Sequence, residues 1–283
     1  VSPFENNFAV IHAILPRWSA IKRKSPERDA DVQIIATNID YALIVQAADR
    51  DFNLNRIERY LAICSDSRIQ SIIVITKIDL LDESGATDLL DRIRTRVADT
   101  PVIMLSNVTR AGIDSLRELI VTGKTYCLLG SSGVGKSTLL NSLCGKNLMA
   151  TGSISDSTSK GKHTTSYREL VALDGGGILI DNPGMREVGM TDNDAGLDRA
   201  FSGIAELALS CRFSDCTHTG ERGCAILAAL ENGELDHEVY DNFLKMENEK
   251  SFFASTVAER RKKDKEFGKM VKIYKKNRRL NKF

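Results

Sequence analysis

Residues 126–138 read Tyr126-Cys127-Leu128-Leu129-Gly130-Ser131-Ser132-Gly133-Val134-Gly135-Lys136-Ser137-Thr138. An apolar run of strand length leads into a glycine-rich turn, and a helical pattern follows to Cys144. The turn matches G-x-x-x-x-G-K-[ST] and sits in the strand–turn–helix context which that pattern requires. Its glycines let successive N–H groups curl toward a phosphate at the positive end of the following helix. Lys136 is placed to reach β- and γ-phosphate oxygens, and Ser137 to hold Mg²⁺. Gly130 through Thr138 are thus the expected phosphate cradle, the bland alternative being a chance glycine turn before a helix. The motif specifies a nucleoside triphosphate without saying which base.

Working outward, the chain alternates apolar strands with helical stretches on both sides of this loop. Upstream, Tyr41–Gln46, Ser71–Thr76 and Val102–Leu105 read as buried strands, and Leu54–Cys64, residues 86–98 and Ile113–Val121 as helices. Downstream, Tyr167–Leu173 and Gly177–Ile180 read as a hairpin around Asp174-Gly175-Gly176. Continuous apolar strands separated by helices predict an α/β domain with a mostly parallel sheet covered on both faces. Beyond about residue 195 the pattern is helical. Residues 1–35 are polar and rich in Arg and Lys, and only Phe8–Leu15 and Gln33–Ala36 look strand-like.

Two short motifs lie upstream of the phosphate loop. Thr76-Lys77-Ile78-Asp79 closes an apolar strand and is similar to the N-K-x-D element of GTPases. Asp79 can accept hydrogen bonds from guanine N1–H and its exocyclic amine. Adenine offers neither, so a buried Asp79 would be left unpaired, a logic that can discriminate by roughly 10⁴-fold. Lys77 would lay its stem over the ring or tie the loop to the phosphate loop. Ser106-Asn107 follows the next strand and is similar to the short S-A element whose backbone meets the guanine oxygen. Were Thr76–Asp79 accidental, an ATPase of the same phosphate-loop class would remain.

Two further motifs lie downstream. Asp181-Asn182-Pro183-Gly184 is similar to D-x-x-G, with Asp181 contacting Mg²⁺ through water and the Gly184 N–H meeting the γ-phosphate; an ordinary turn is the alternative. Gly161-Lys162-His163-Thr164-Thr165 lies in a stretch, residues 151–166, too polar to be core. That stretch reads as a mobile loop able to supply a threonine to Mg²⁺.

The chain has 283 residues, with 42% hydrophobic and 27% charged, ordinary values for a globular protein. No apolar run approaches the roughly 20 residues needed to span a bilayer. The N-terminus lacks both a signal-peptide layout and an initiator Met, so the true start is expected upstream and the location cytoplasmic. The net charge of +1 conceals a division: residues 259–283 carry twelve Lys/Arg against three Asp/Glu, and the rest is acidic. Arg260–Lys263 and Lys275–Arg279 dominate that tail. A solvated helix end or a basic helix on a membrane surface remains open, but phosphate contacts to RNA fit an acidic body better.

Cys64, Cys127 and Cys144 lie in apolar contexts as core thiols. Cys211, Cys216, His218 and Cys224 fall within fourteen residues and supply the Cys₃His set of structural zinc. Such an ion would hold together a module too poor in apolar material to fold alone.

Taken together, Ala36–Asp40, Thr76–Asp79, Gly130–Thr138, Gly161–Thr165, Asp181–Gly184 and Cys211–Cys224 resemble the circularly permuted small-ribosomal-subunit biogenesis GTPases, the RsgA or YjeQ family. The order of motifs, base-reading before phosphate loop, is that family's order. The resemblance implies three parts: residues 1–35 as the end of an OB-fold β-barrel, 36–194 as a permuted GTPase domain, and 195–283 as a zinc-binding helical domain with a basic tail. It implies GTP and GDP as ligands, Mg²⁺ with GTP, one structural Zn²⁺, and the small ribosomal subunit and its rRNA as partner of a monomer that does not bind membranes. Thr76 stands where Asn is usual, which is expected to weaken bonding between the loops. Asn182 replaces the usual Thr.

Met185 follows D-x-x-G where a Ras-like water-orienting Gln would stand. The resemblance points instead to His163 as the water-orienting group, with Thr165 on Mg²⁺ and Lys136 on the phosphates; an exposed loop histidine is the alternative. Because the chain leaves the GTPase domain just after Gly184, a switch movement there is expected to reach the zinc module directly. The rival function is an rRNA-binding assembly module in which GTP is a structural or regulatory ligand.

Overall fold

The structure, a computed structural model, describes residues 2–4, 8–24, 32–97, 99–145, 169–173, 175–181 and 195–254. The chain divides into two compact units, residues 1–189 and 190–283.

The first unit begins with two antiparallel pairs, β1 (Ser2–Phe4) with β2 (Phe8–Val10) and β3 (Ala20–Lys24) with β4 (Val32–Thr37). The strand expected over Phe8–Leu15 stops at Val10, and Ile11, Ile14 and Leu15 are exposed. Six strands then form the main sheet: β5 (Tyr41–Ala47), β6 (Gln70–Thr76), β7 (Val102–Met104), β8 (Thr125–Leu129), β9 (Glu169–Ala172) and β10 (Ile178–Asp181). Their spatial order is β7-β6-β5-β8-β10-β9, parallel except for β9 against β10. That last pair is the expected hairpin, closed by Leu173 N–H to Gly177 O at 2.8 Å.

Strand periodicity explains how one sheet feeds two cores. Leu43, Val45, Val74 and Leu128 pack on one face with Ile113, Leu116, Leu139, Leu140 and Leu143. Those last five come from α3 (Ile113–Glu118) and α4 (Lys136–Cys144). Ile73 and Ile75 point to the other face, where Ile57, Leu89 and Ile93 await them from α1 (Leu54–Asp66) and α2 (Glu83–Arg96). Each such side chain contributes about 1.5–3 kcal/mol on burial. Both faces being apolar is why β5 reads as a hydrophobic run from Tyr41 to Val45. Asn53 and Asp82 cap α1 and α2 by accepting from the N–H of Arg56 and Gly85. Arg96 joins the two helices through a bidentate pair with Glu58 at 2.8 Å on each arm.

α3 ends at Glu118, not at Val121. Tyr126, buried in β8, accepts the Val121 N–H through its hydroxyl and donates to Leu119 O, which pulls the chain out of the helix. The register of the parallel strands brings the C-terminal ends of β5, β6, β7, β8 and β10 to one edge of the sheet. Open α/β sheets bind ligands at that edge.

The second unit holds α5 (Ala195–Ala200), α6 (Ser202–Ala208), α7 (Ala225–Glu231) and α8 (His237–Ala254). Its small core gathers Leu197, Phe201, Ile204, Ile226 and Met246, with Phe201 edge-on to Phe243 at 5.6 Å. Among the described residues no helix is long and apolar enough to cross a membrane.

Candidate nucleotide and metal sites

The turn after β8 leads from the strand directly into α4. Gly130 has φ +150°, and a Cβ there would lie 2.3 Å from Val45 O, so no side chain fits. Val134 is buried beneath the turn and anchors it to the core. Gly135, at φ +91°, precedes Lys136, the first residue of α4, and the N-terminal end of that helix adjoins the loop. The Lys136 ammonium donates to Gly130 O at 2.7 Å and to Ser131 O, which holds a positive charge at the mouth of the loop. Ser137 and Thr138 follow in the first turn of α4.

The base-reading segment leaves β6 at Thr76, which is fully buried. Lys77 adopts a left-handed backbone at φ +59°, and Ile78–Leu80 form a 3₁₀ turn that contains Asp79. The bonding between loops, expected to weaken with threonine at this position, is present: Thr76 Oγ1 donates to Val134 O at 2.6 Å, inside the phosphate loop. Lys77 Nζ donates to Asp49 Oδ2 at 2.9 Å.

The segment after β7 completes the arrangement. Ser106 is fully buried, and its hydroxyl oxygen accepts the N–H groups of Val108 and Thr109 at 3.1 Å each. Its own proton is thereby directed to Asp79 Oδ1. Asp79 is held from one side and keeps acceptor capacity for a ligand. The Asn107 amide lies against the phosphate loop, with Nδ2 3.5 Å from Gly135 O. A Cβ on Gly135 would meet that same nitrogen at 3.2 Å, so asparagine here constrains the glycine. Asn107 Oδ1 is buried with no hydrogen-bond partner among the described residues.

Three loops thus meet at the sheet edge: an N–H-rich cradle with a lysine, and an oriented carboxylate beside it. The first suits phosphates and the second an edge with adjacent N–H donors. β10 ends at Asp181 on the same edge, one strand from the cradle. His163, Thr165, Asn182, Gly184 and Met185 lie outside the described residues, as does the basic tail. Sequence reasoning missed the side chains of Ser106 and Asp49. Their partners lie 27 and 28 residues away, beyond the reach of any local pattern.

In the second unit Cys211, Cys216, His218 and Cys224 converge, all ligand atoms lying within 4.8 Å of one another. His218 Nδ1 is 3.6 Å from both Cys211 Sγ and Cys224 Sγ, and those sulfurs are 3.9 Å apart. Ligands about 2.0–2.3 Å from a tetrahedral zinc lie roughly 3.5–3.8 Å from each other, so spacing and donor chemistry both fit one zinc ion.

Two residues outside the motif organise the histidine, which has φ +60°. Tyr240 Oη donates to His218 O at 2.6 Å. The Glu221 carboxylate accepts from the Thr217 hydroxyl and from the N–H groups of Thr217, Thr219 and Gly220. Those bonds, the Thr217 hydroxyl first, push its pKa well below the usual carboxylate range. The Ala225 N–H donates to Cys211 Sγ at 3.4 Å.

Comparison with known proteins bears on both units. A family model described as "RsgA GTPase" matches residues 14–191, and one described as "50S ribosome-binding GTPase" matches residues 125–260. "Small ribosomal subunit biogenesis GTPase RsgA 1" of Bacteroides thetaiotaomicron is 45% identical over 277 residues, which is 98% of this chain and 77% of that protein. "Small ribosomal subunit biogenesis GTPase RsgA 2" of Listeria monocytogenes is 45% identical, over 87% of this chain and 70% of that one. Among solved structures, YjeQ from Thermotoga maritima superposes with a TM-score of 0.62 at 27% identity, covering 87% of this chain and 80% of that one. YloQ, described as a circularly permuted GTPase, shares the fold with a TM-score of 0.58 at 24% identity.

Proposed function

The chain belongs to the RsgA GTPase family and is a GTP-hydrolysing enzyme, and from that premise we propose that its turnover serves maturation of the small ribosomal subunit. The relatives named above are small-subunit biogenesis GTPases. In this reading GTP favours a form docked on the subunit through rRNA, and hydrolysis favours release late in maturation.

The observation that carries the guanine assignment is the bond from Ser106 to Asp79 beside the phosphate loop. A carboxylate oriented by a buried hydroxyl can accept from N1–H and the 2-amino group of guanine, and adenine leaves it unpaired. Thr76, Lys77, Ile78, Asp79, Ser106 and Asn107 would line the base, and Gly130–Thr138 the phosphates. Lys136 is assigned to the β- and γ-phosphate oxygens, and Asp181 and Gly184 to the γ-phosphate side. Mg²⁺, when bound, would be held by the Ser137 and Thr165 hydroxyls and would offset charge on the phosphates. His163 is assigned to orienting the attacking water, because Met185 cannot do so. Zinc would be held by Cys211, Cys216, His218 and Cys224, with no position left open for a substrate.

Residues 1–35 are read as part of an OB-fold domain, which the antiparallel pairs β1–β2 and β3–β4 support. The partner proposed for this chain puts its work in the cytoplasm.

One sequence feature favours the rival reading, an rRNA-binding module with GTP as a structural ligand: methionine at 185 predicts slow hydrolysis by the chain alone. The test is GTP hydrolysis with and without purified small subunits, with ATP in parallel. Stimulation specific to GTP supports the proposal, and tight GTP binding with no stimulation supports the rival. Full stimulated turnover by His163→Ala would remove the histidine from the mechanism.

A further inference from the structure

Within the proposed base site, the lysine of the base-reading motif has a partner outside the recognised motifs. Lys77 follows β6 directly, and Asp49 lies two residues beyond the end of β5, its parallel neighbour. The register pairs Ala47 with Thr76, and the Ala48 N–H continues the ladder to Thr76 O at 2.8 Å. The two loops therefore leave the sheet side by side.

Asp49 is the fixed member of the pair. One carboxylate oxygen accepts the Asp51 N–H at 3.0 Å, and the Phe52 N–H donates to Asp49 O at 3.0 Å, so a short turn locks the side chain. The other oxygen takes Lys77 Nζ at 2.9 Å, with side-chain exposures of 22% for Asp49 and 29% for Lys77. Burial opposes ionisation of Asp49, but the Lys77 ammonium and the Asp51 N–H outweigh it, and its pKa lies below the ordinary carboxylate value. A lysine side chain otherwise samples many rotamers, and ordering it on ligand binding costs affinity. Here one end of the stem is set by a left-handed backbone and the other by an anchored anion.

We propose that Asp49 is a positioning residue of the nucleotide site: it tethers the Lys77 ammonium so that the aliphatic stem stands ready as one wall of the guanine pocket. The proposal rests on the guanine reading of Asp79. Asp49 itself touches no nucleotide. Its contribution is preorganisation, felt by base and nucleoside binding and not by the chemistry at the γ-phosphate.

The test is a double-mutant cycle on the full chain, read as the dissociation constant for GDP at low and high salt and as KM and kcat for GTP. Asp49→Asn keeps a side-chain oxygen for the Asp51 N–H and removes only the charge, so it spares the turn. This substitution is expected to weaken GDP binding about fivefold at low salt, the scale of a partly exposed ion pair, and less at high salt. KM for GTP rises and kcat stays level. Lys77→Met also weakens GDP, and adding Asp49→Asn to it changes nothing further. Melting of the nucleotide-free variants checks that the fold is intact.

Equal GDP affinity for Asp49→Asn and the parent overturns the proposal, and if Asp49→Ala alone is impaired, the residue is only a turn former. Additive losses in the cycle overturn it too, as does tighter binding by Asp49→Asn. If the parent shows no preference for GDP over ADP and Asp79→Ala changes nothing, the guanine reading itself fails. That result is separable from a neutral Asp49→Asn in a chain that still selects guanine.

Discussion

Replacing Thr76 by valine isolates the hydroxyl that joins the base loop to the phosphate loop. Valine has nearly the shape of threonine, so the substitution leaves no cavity at a position that is fully buried. What it removes is the donor to Val134 O, a bond of 2.6 Å, with Gln46 O a further 3.3 Å from the same oxygen. Stripping a buried carbonyl of its donor costs about 1–3 kcal/mol. The added methyl group returns up to about 0.8 kcal/mol. The net expectation is destabilisation of about 1–2 kcal/mol, or a fall in Tm of roughly 2–8 °C for a unit of this size. GDP affinity should fall as well, since the cradle and the base loop lose their direct tie. Thr76→Ser keeps the hydroxyl and discards the methyl, so it should lose some stability and hold its nucleotide. Differential scanning calorimetry and a fluorescent-GDP titration on the three proteins separate these terms. Valine matching the parent in both readouts, or serine losing more GDP affinity than valine, would mean that packing, not the bond, is what position 76 supplies.

Other residues make separate claims. Ser106→Ala should weaken GDP binding about ten- to a hundredfold, the range for losing a hydrogen bond to a charged group, and lower Tm as well, because the Val108 and Thr109 N–H groups lose their acceptor; an unchanged titration would show that Asp79 needs no orienting. Cys216→Ser, or a strong chelator, should lower bound zinc from near one per chain and cost helical circular dichroism from residues 195–254, with GDP binding kept by the first unit. Retained helicity in the zinc-free protein would contradict a structural metal.

Acid stability supplies a further check. Burial of Asp40 favours protonation, but the Thr125 N–H and the Lys124 ammonium prevail and hold its pKa below the usual value. A depressed carboxylate contributes fully above its unfolded pKa, about 3.9, and loses that contribution as pH falls through the folded value. The parent should therefore out-melt Asp40→Asn at neutral pH, with the gap closing below about pH 4; a gap that widens in acid would refute the assignment.

What could be read in advance followed local chemistry. The strands of the sheet announced themselves because parallel strands bury both faces, and the phosphate loop because its glycines, lysine and serine occupy consecutive positions. Boundaries failed where a distant group decides them. Nothing in Ile113–Val121 says that the Tyr126 hydroxyl will claim Leu119 O and Val121 N and end α3 early. The start of α2 at Glu83 did have a local signal, since Asp82 is a good cap, but Gly85 in the first turn masks it. In the second unit the Cys₃His set was legible in the sequence, and the structure brings its four members together. Glu221 and Tyr240 were not legible, because their role depends on the positive φ of His218, which only the folded loop displays.

The same distinction explains how a permuted chain can keep together the loops proposed for guanine and for phosphates. The site uses the C-terminal edge of the sheet, and an edge is defined by which strands lie next to which, not by their order along the chain. In this chain β6 and the phosphate-loop strand β8 are not even neighbours, because β5 lies between them. The link between base reading and phosphate binding therefore rests on side chains that reach over β5: Thr76 to Val134 across 58 positions, and Asn107 to Gly135 across 28. Permutation can move the chain termini anywhere that spares these contacts. What it alters is the element from which the chain departs. Here β10 ends at Asp181, and the second compact unit begins nine residues later, at Met190. A residue assigned to the γ-phosphate side is thus followed closely in sequence by the unit that carries the Cys₃His cluster. In the proposed function, a change of nucleotide state is passed to that unit along this segment. Lengthening the segment between Gly184 and Ala195 with flexible residues should consequently uncouple nucleotide state from subunit affinity and leave GDP binding unchanged.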